Sequence, residues 1–158
     1  MKTFGTLIAA MVLLPCLARA GTETVDVPDA AKGAAATVDR FFAALSAGDL
    51  GKAGEALDAG VTILESGGAE HSAAEYLEGH AKHDAEFLSG AHHVPVRRIA
   101  RASGELAWVA SESELHVKKD GRPMTIATTE TMVLRSTGDG WKIVHIHWSS
   151  HPLAAEPE

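Results

Sequence analysis

Two periodicities divide the chain. From Ala34 onward, apolar Val38, Phe41, Phe42 and Leu45 recur at helical spacing, and the "SAGD" that follows stops this helix with a glycine. Asp49 is placed to cap a second helix, "LGKAGEAL", which its two glycines keep short and weak. "VTILES" and "AEH", parted by Gly67-Gly68, predict a small hairpin. Ser72 with Glu75 three residues on is a capping box, and it opens a long helix to about Ser89. After Gly90 the period changes to two. The alternation predicts strands near His93–Ala102, Leu106–Lys118, Pro123–Ser136 and Trp141–Ser150, joined by the turn sequences "SGE", "KDGR" and "TGDG". His92-His93 falls where it would cap the end of the preceding helix.

Helices first and a meandering antiparallel sheet afterwards predict an α+β domain with its helices on one face of the sheet. A strongly curved sheet wrapped around a long helix encloses a cavity, and that cavity is where function is to be sought.

The ends of the chain follow different rules. Residues 1–20, "MKTFGTLIAAMVLLPCLARA", run from Lys2 through an apolar stretch to the small-x-small pattern Ala18-Arg19-Ala20, as in a cleaved signal peptide. The expected mature protein is periplasmic or secreted, with an aperiodic leader over 21–33, one domain over 34–152 and a frayed tail over 153–158. Cys16 is the only cysteine and lies within the signal segment, so neither a disulfide framework nor thiolate chemistry is expected of the mature protein. The formal charge is −7, and loss of the basic Lys2 and Arg19 makes it −9. An acidic chain without a basic cluster argues against nucleic-acid and membrane-surface partners. The one basic run, "VPVRRIAR", reads as a strand charged on both sides.

The stretches "ALSAGDLGKAGEALDAGVTILES" and "GRPMTIATTETMVLRSTGDGWKIVHIHWS" resemble the nuclear transport factor 2-like, or ketosteroid isomerase-like, superfamily in its SnoaL-like branch. Within it the nearest likeness is to the association domain of calcium/calmodulin-dependent protein kinase II. The resemblance implies a cone-shaped, cystatin-like roll with an internal pocket, commonly dimerised through the sheet. In the kinase domain three strand arginines point into the pocket and bind an anion; the matching positions here are Glu112, Met132 and Trp148. Carboxylate binding is therefore not carried over, while the inward orientation of these three residues is expected to hold. The tyrosine and paired acids of the steroid isomerases have no match. Tyr76, the only tyrosine, lies on the predicted long helix, not on the first.

If Trp148 faces inward, alternation brings Ile146 and Val144 with it and sends His145, His147 and Trp141 to the outer face, where the resemblance implies a second subunit. The same rule, applied from Glu112, turns Trp108, Ala110, Glu114 and His116 inward, and it groups Glu130 with Met124, Ile126, Thr128, Met132 and Leu134. An acid among apolar neighbours has a raised pKa, which suits proton transfer near neutrality; the bland alternative is a structural acid with a backbone donor. On the predicted long helix, His80 and Asp84 stand one turn apart and pair either as a proton-transfer device or as an ordinary surface pair. His80 with His83, and His145 with His147 and His151, lack the convergent spacing of a metal site, so no metal or cofactor is expected.

Three functions fit. The preferred one is an exported protein that binds a small organic molecule through Trp108, Glu112, Met132, Ile146, Trp148 and Tyr76. The second is a cofactor-independent isomerase or dehydratase in which Glu130, His80 or Asp84 moves the proton. The third is a homo-oligomeric assembly module. A homodimer through the sheet face, on the His145 and His147 side, accompanies the first.

Overall fold

A computed structural model describes residues 23–153. The chain order is β1 (Thr24–Asp26), a 3-10 turn (Asp29–Ala31), α1 (Lys32–Ser46), α2 (Leu50–Ala56), β2 (Leu57–Glu65), β3 (Gly68–Glu70), α3 (Ala73–Glu78), α4 (Ala81–Ser89), β4 (His92–Ser103), β5 (Leu106–Lys119), β6 (Arg122–Thr137) and β7 (Gly140–Pro152). One curved, unclosed sheet runs in the order β1-β4-β5-β6-β7-β2-β3, and the helices lie against its concave face. The α+β roll expected from the sequence is what forms. Residues 1–20, read above as a signal peptide, and the tail from 154 lie outside the described residues. No helix among the described residues is long and apolar enough to cross a membrane.

The core is a sandwich of α1 on the sheet. Val38, Phe41 and Leu45 from α1 meet Val109, Met132, Leu134, Ile143 and Ile146 from the strands, all fully buried. Each such side chain contributes about 1.5–3 kcal/mol on leaving water. Two-residue turns set the registers: Ser66-Gly67 and Asp120-Gly121 both have positive φ, the geometry that matches strand twist in a tight hairpin. Asp49 caps α2 by accepting from the Lys52 N–H at 3.1 Å. Ser72 caps α3 from the Glu75 N–H at 3.1 Å, while Glu75 reaches back to the His71 N–H at 2.8 Å.

The structure departs from the sequence reading at five places. The helix expected from Ser72 to Ser89 is two helices, because Gly79 takes φ −111°, ψ −100° and breaks the ladder; the 15-residue α1 is the long helix. The 21–33 stretch contains β1, which pairs parallel to β4 and is tied there by Arg101 to Asp26. Together with the parallel β2–β7 pair, this makes the sheet mixed at its edges. His92 and His93 open β4 and do not cap a helix. In β7 a bulge between the pairs Val133–His145 and Leu134–Ile143 leaves Val144 unpaired, so Ile143, not Val144, enters the core and Trp141 packs against it.

The fifth correction concerns β5. Ala107, Val109, Ser111, Ser113 and Leu115 are the buried series, so Trp108 and Glu112 face outward. Trp108 is 40% exposed, and Glu112 pairs in register with Arg97 on the solvent side. Two serines on the inner face disguised the strand's parity, and they face a cavity.

Candidate functional site

The cavity lies between α1, α4 and the inner face of β4 to β7 and has a volume of about 900 Å³. Its walls are apolar where Phe42, Leu45, Phe87, Leu88, Leu115 and Ile126 contribute. Charged Glu23, Lys32 and Arg97 also reach it, and two hydrogen-bonded polar clusters interrupt its walls.

The first surrounds Glu130 on β6. Alternation from buried Leu134 and Met132 brings Glu130 inward, where the Trp148 indole N–H donates to its Oε2 at 3.3 Å. The residue keeps some exposure to the cavity while its carboxyl is enclosed. Burial pushes the carboxyl pKa up, and the hydrogen bonds from Ser111 and Trp148 only partly offset this. Arg98 of β4 donates from Nε to Ser111 Oγ at 3.2 Å and pairs with Asp39 of α1. Its charge is thereby neutralised at the cavity wall. Trp148 is held by rings on two sides, 6.3 Å from Phe41 and 6.1 Å from Tyr76 between centroids.

The second group gathers where β2 ends against the two short helices. Val61 and Ile63 point into the core, so the period of two brings Glu65 inward as well. Asp84 comes from α4 and accepts the phenolic proton of fully buried Tyr76 on Oδ2 at 2.8 Å. His80, at the break between α3 and α4, donates from Nδ1 to Glu70 Oε1 at 3.1 Å. Its Nε2 lies 3.5 Å from Asp84 Oδ1 and 3.9 Å from Glu65 Oε2. Burial raises the pKa of both carboxyls; Asp84 and Glu70 add to it at Glu65, while at Asp84 the Tyr76 hydrogen bond and His80 offset part of it. Burial works against the His80 imidazolium, but Asp84, Glu70 and Glu65 outweigh it and raise the His80 pKa. Burial and Asp84 also push the Tyr76 pKa up, so Tyr76 remains a proton donor.

A family model described as a SnoaL-like domain matches residues 34–154. The chain belongs to the SnoaL-like domain family. A protein of Shewanella frigidimarina assigned as a ketosteroid isomerase is 35% identical, covering 74% of this chain and 94% of its own, with a TM-score of 0.71. A Xanthomonas campestris protein assigned as a calcium/calmodulin-dependent protein kinase II association domain is 21% identical over 84% of this chain and 97% of its own, with a TM-score of 0.65. A Novosphingobium aromaticivorans NTF2-like protein with a cystatin-like fold is 14% identical over 76% and 80%, with a TM-score of 0.63. The last two show the shared fold. No curated protein matches.

Within this SnoaL-like cavity, the residues singled out in the sequence take different places. Glu130, Asp84 and Trp148 line it. Met132, Ile146 and Tyr76 are fully buried beneath it; the first two pack in the core, and Tyr76 positions Asp84. Trp108 and Glu112 are on the far face of the sheet and contribute nothing to the cavity. His147 is exposed on that far face, and His145 is half-buried there with Nδ1 donating to the Thr62 carbonyl at 2.9 Å. Sequence reasoning missed Glu65, Arg98, Asp39 and Ser111. Only Glu65 carried a usable signal, its parity with Val61 and Ile63.

Proposed function

We propose that this SnoaL-like protein is exported and binds a small organic molecule, neutral or cationic, in its cavity. The observation that carries the reading is the enclosed carboxyl of Glu130, set among apolar walls and fixed by Trp148. It is a single polar group at which an uncharged or cationic ligand end can be hydrogen-bonded among otherwise apolar contacts. Glu65, in line with Trp148 and Glu130 across β2, β7 and β6, and Asp84 of α4 favour a positive ligand end over a negative one, and Arg98, whose charge reaches Glu130, is already paired with Asp39. Mass spectrometry of material co-purifying with the protein from its native envelope tests the reading. A retained small molecule that is lost in Glu130→Gln and Trp148→Phe is the expected result; a cavity that retains nothing and ignores a broad ligand panel would end it. Fractionation of cells expressing the chain with and without residues 1–20 tests export.

A second reading, proton transfer in an isomerase or dehydratase, is favoured by the hydrogen-bonded run Tyr76–Asp84 beside His80–Glu70 and by the isomerase-assigned relative. It requires a pH-dependent rate that Asp84→Asn or Glu130→Gln abolishes. The convex sheet face, bearing Trp108, His145 and His147, is proposed as the surface of a homodimer.

A further inference from the structure

We propose that Glu65, His80 and Asp84 form a divalent metal site, fitted to Zn²⁺, that opens onto the cavity. Their ligand atoms lie within 4.8 Å of one another. They come from two places in the chain, Glu65 from the end of β2, His80 and Asp84 from the N-cap and first turn of α4.

The geometry assigns each lone pair. A carboxylate accepts and does not donate, so the His80 Nδ1 that meets Glu70 Oε1 at 3.1 Å carries the proton. This turns the Nε2 lone pair toward Asp84 Oδ1 and Glu65 Oε2. Asp84 uses its other oxygen for the Tyr76 hydroxyl. Glu65 Oε2 is sealed from solvent and has no hydrogen-bond partner among the described residues. A buried carboxylate oxygen without a donor is destabilised when it carries charge, and a cation relieves this. Glu70 and Tyr76 thus hold the outer sides of His80 and Asp84, as outer carboxylates and hydroxyls do around metal-bound histidine and aspartate. Three acceptor atoms are left close together, His80 Nε2, Asp84 Oδ1 and Glu65 Oε2.

A second proton on His80 is the competing occupant of the space between these atoms, and distance decides between proton and metal. An N–H···O bond needs about 2.7–3.2 Å. The Nε2 separations of 3.5 and 3.9 Å exceed this, and a proton on Nε2 satisfies one carboxylate at most. Zinc bonds of about 2.0–2.2 Å to imidazole and carboxylate set neighbouring ligand atoms about 3.3–3.5 Å apart in a tetrahedron. The separation of His80 Nε2 from Asp84 Oδ1 already meets that spacing, and its separation from Glu65 Oε2 exceeds it by a few tenths of an ångström. Three protein ligands leave the fourth position to water or to a molecule in the cavity, since Glu65 and Asp84 both line it. One imidazole with two carboxylates suits Zn²⁺ better than Mg²⁺ or Ca²⁺, which prefer all-oxygen shells.

The test is calorimetric titration of tag-free, chelator-treated protein with Zn²⁺ alone, so it stands apart from the identity of any organic ligand. One ion per chain is expected in the wild type. His80→Ala and the shape-conserving Glu65→Gln should each weaken binding tenfold or more, while His147→Ala on the far face should leave it unchanged. Circular dichroism melts confirm folding, and Glu65→Gln serves alone if His80→Ala does not fold. Absence of saturable binding, or a loss below tenfold in Glu65→Gln, would overturn the site; undiminished binding there would transfer the ion to surface histidines.

Discussion

The indole N–H of Trp148 donates to Glu130 Oε2 across 3.3 Å, and the two residues face each other directly in the β6–β7 register. The bond gives Glu130 one donor, but burial still keeps its pKa above the ordinary value of 4.5. The sign of the linkage follows. The folded state retains a proton that the unfolded state releases at 4.5, so this residue's contribution is fully favourable below pH 4.5 and is lost as pH rises through the folded value. Glu130→Gln keeps an acceptor for Trp148 and removes the titration. Its melting temperature relative to wild type should therefore rise between pH 4 and pH 8 and level off above the folded pKa. A difference that stays constant across that range would show that Glu130 ionises normally.

Trp148 also sits in the cavity wall, whereas Trp108 is on the opposite face and Trp141 lies in the core near the start of α1. A short-range contact quencher such as a bromoalkane, bound in the cavity, should quench chiefly the emission of Trp148. Trp148→Phe should remove most of that quenching, and Trp108→Phe should leave most of it. Equal losses in the two variants would place the quencher on the outer surface.

Gly33 in α1 lies under Trp141, where an added Cβ would come within 2.9 Å of Nε1 and 3.0 Å of Cδ1. Alanine in a helix interior gains about 0.5–1 kcal/mol over glycine, while overpacking costs about 1–3 kcal/mol. The clash wins, so Gly33→Ala should destabilise the fold by about 1 kcal/mol and lower the urea midpoint accordingly. Gly51 in α2 is the contrast: its Cβ would meet only Asp49 Oδ1 at 3.6 Å, an ordinary contact. Gly51→Ala should stabilise by about 0.5–1 kcal/mol. Urea titrations of the two variants check both signs.

The architecture was readable because alternation and turn chemistry agree along the second half of the chain. Asp120-Gly121, for example, allows only a tight hairpin, and the strands on either side follow. Parity was less legible. Period-two patterning assigns the apolar set inward, but β5 places Ser111 and Ser113 inward because they line a cavity, and leaves Trp108 outside. In β7 one bulged residue, Val144, reversed the expected side of everything before it. The cluster of Glu65, Glu70, Tyr76, His80 and Asp84 was half visible, since the i, i+4 spacing of His80 and Asp84 is local. Glu65 and Glu70 reach it only through the β2–β3 hairpin folding back on α3 and α4, a tertiary event without a sequence period.

The convex face of the sheet provides the last test. Trp108, Val133 and His145 stand side by side across β5, β6 and β7, with Trp108 40% and Leu64 36% exposed. An indole and aliphatic side chains in contact with water on one surface are the composition of an interface core. Because Trp108 already faces solvent in the single chain, replacing it should cost the monomer little, within about 0.5 kcal/mol. Trp108→Glu would bring two carboxylates into a two-fold interface and oppose association. Light scattering coupled to size exclusion should give a dimeric mass for the wild type and a monomeric mass for Trp108→Glu, with the melting curve of the variant still cooperative. A wild type that is monomeric, or a variant that stays dimeric, would remove this face from the assembly.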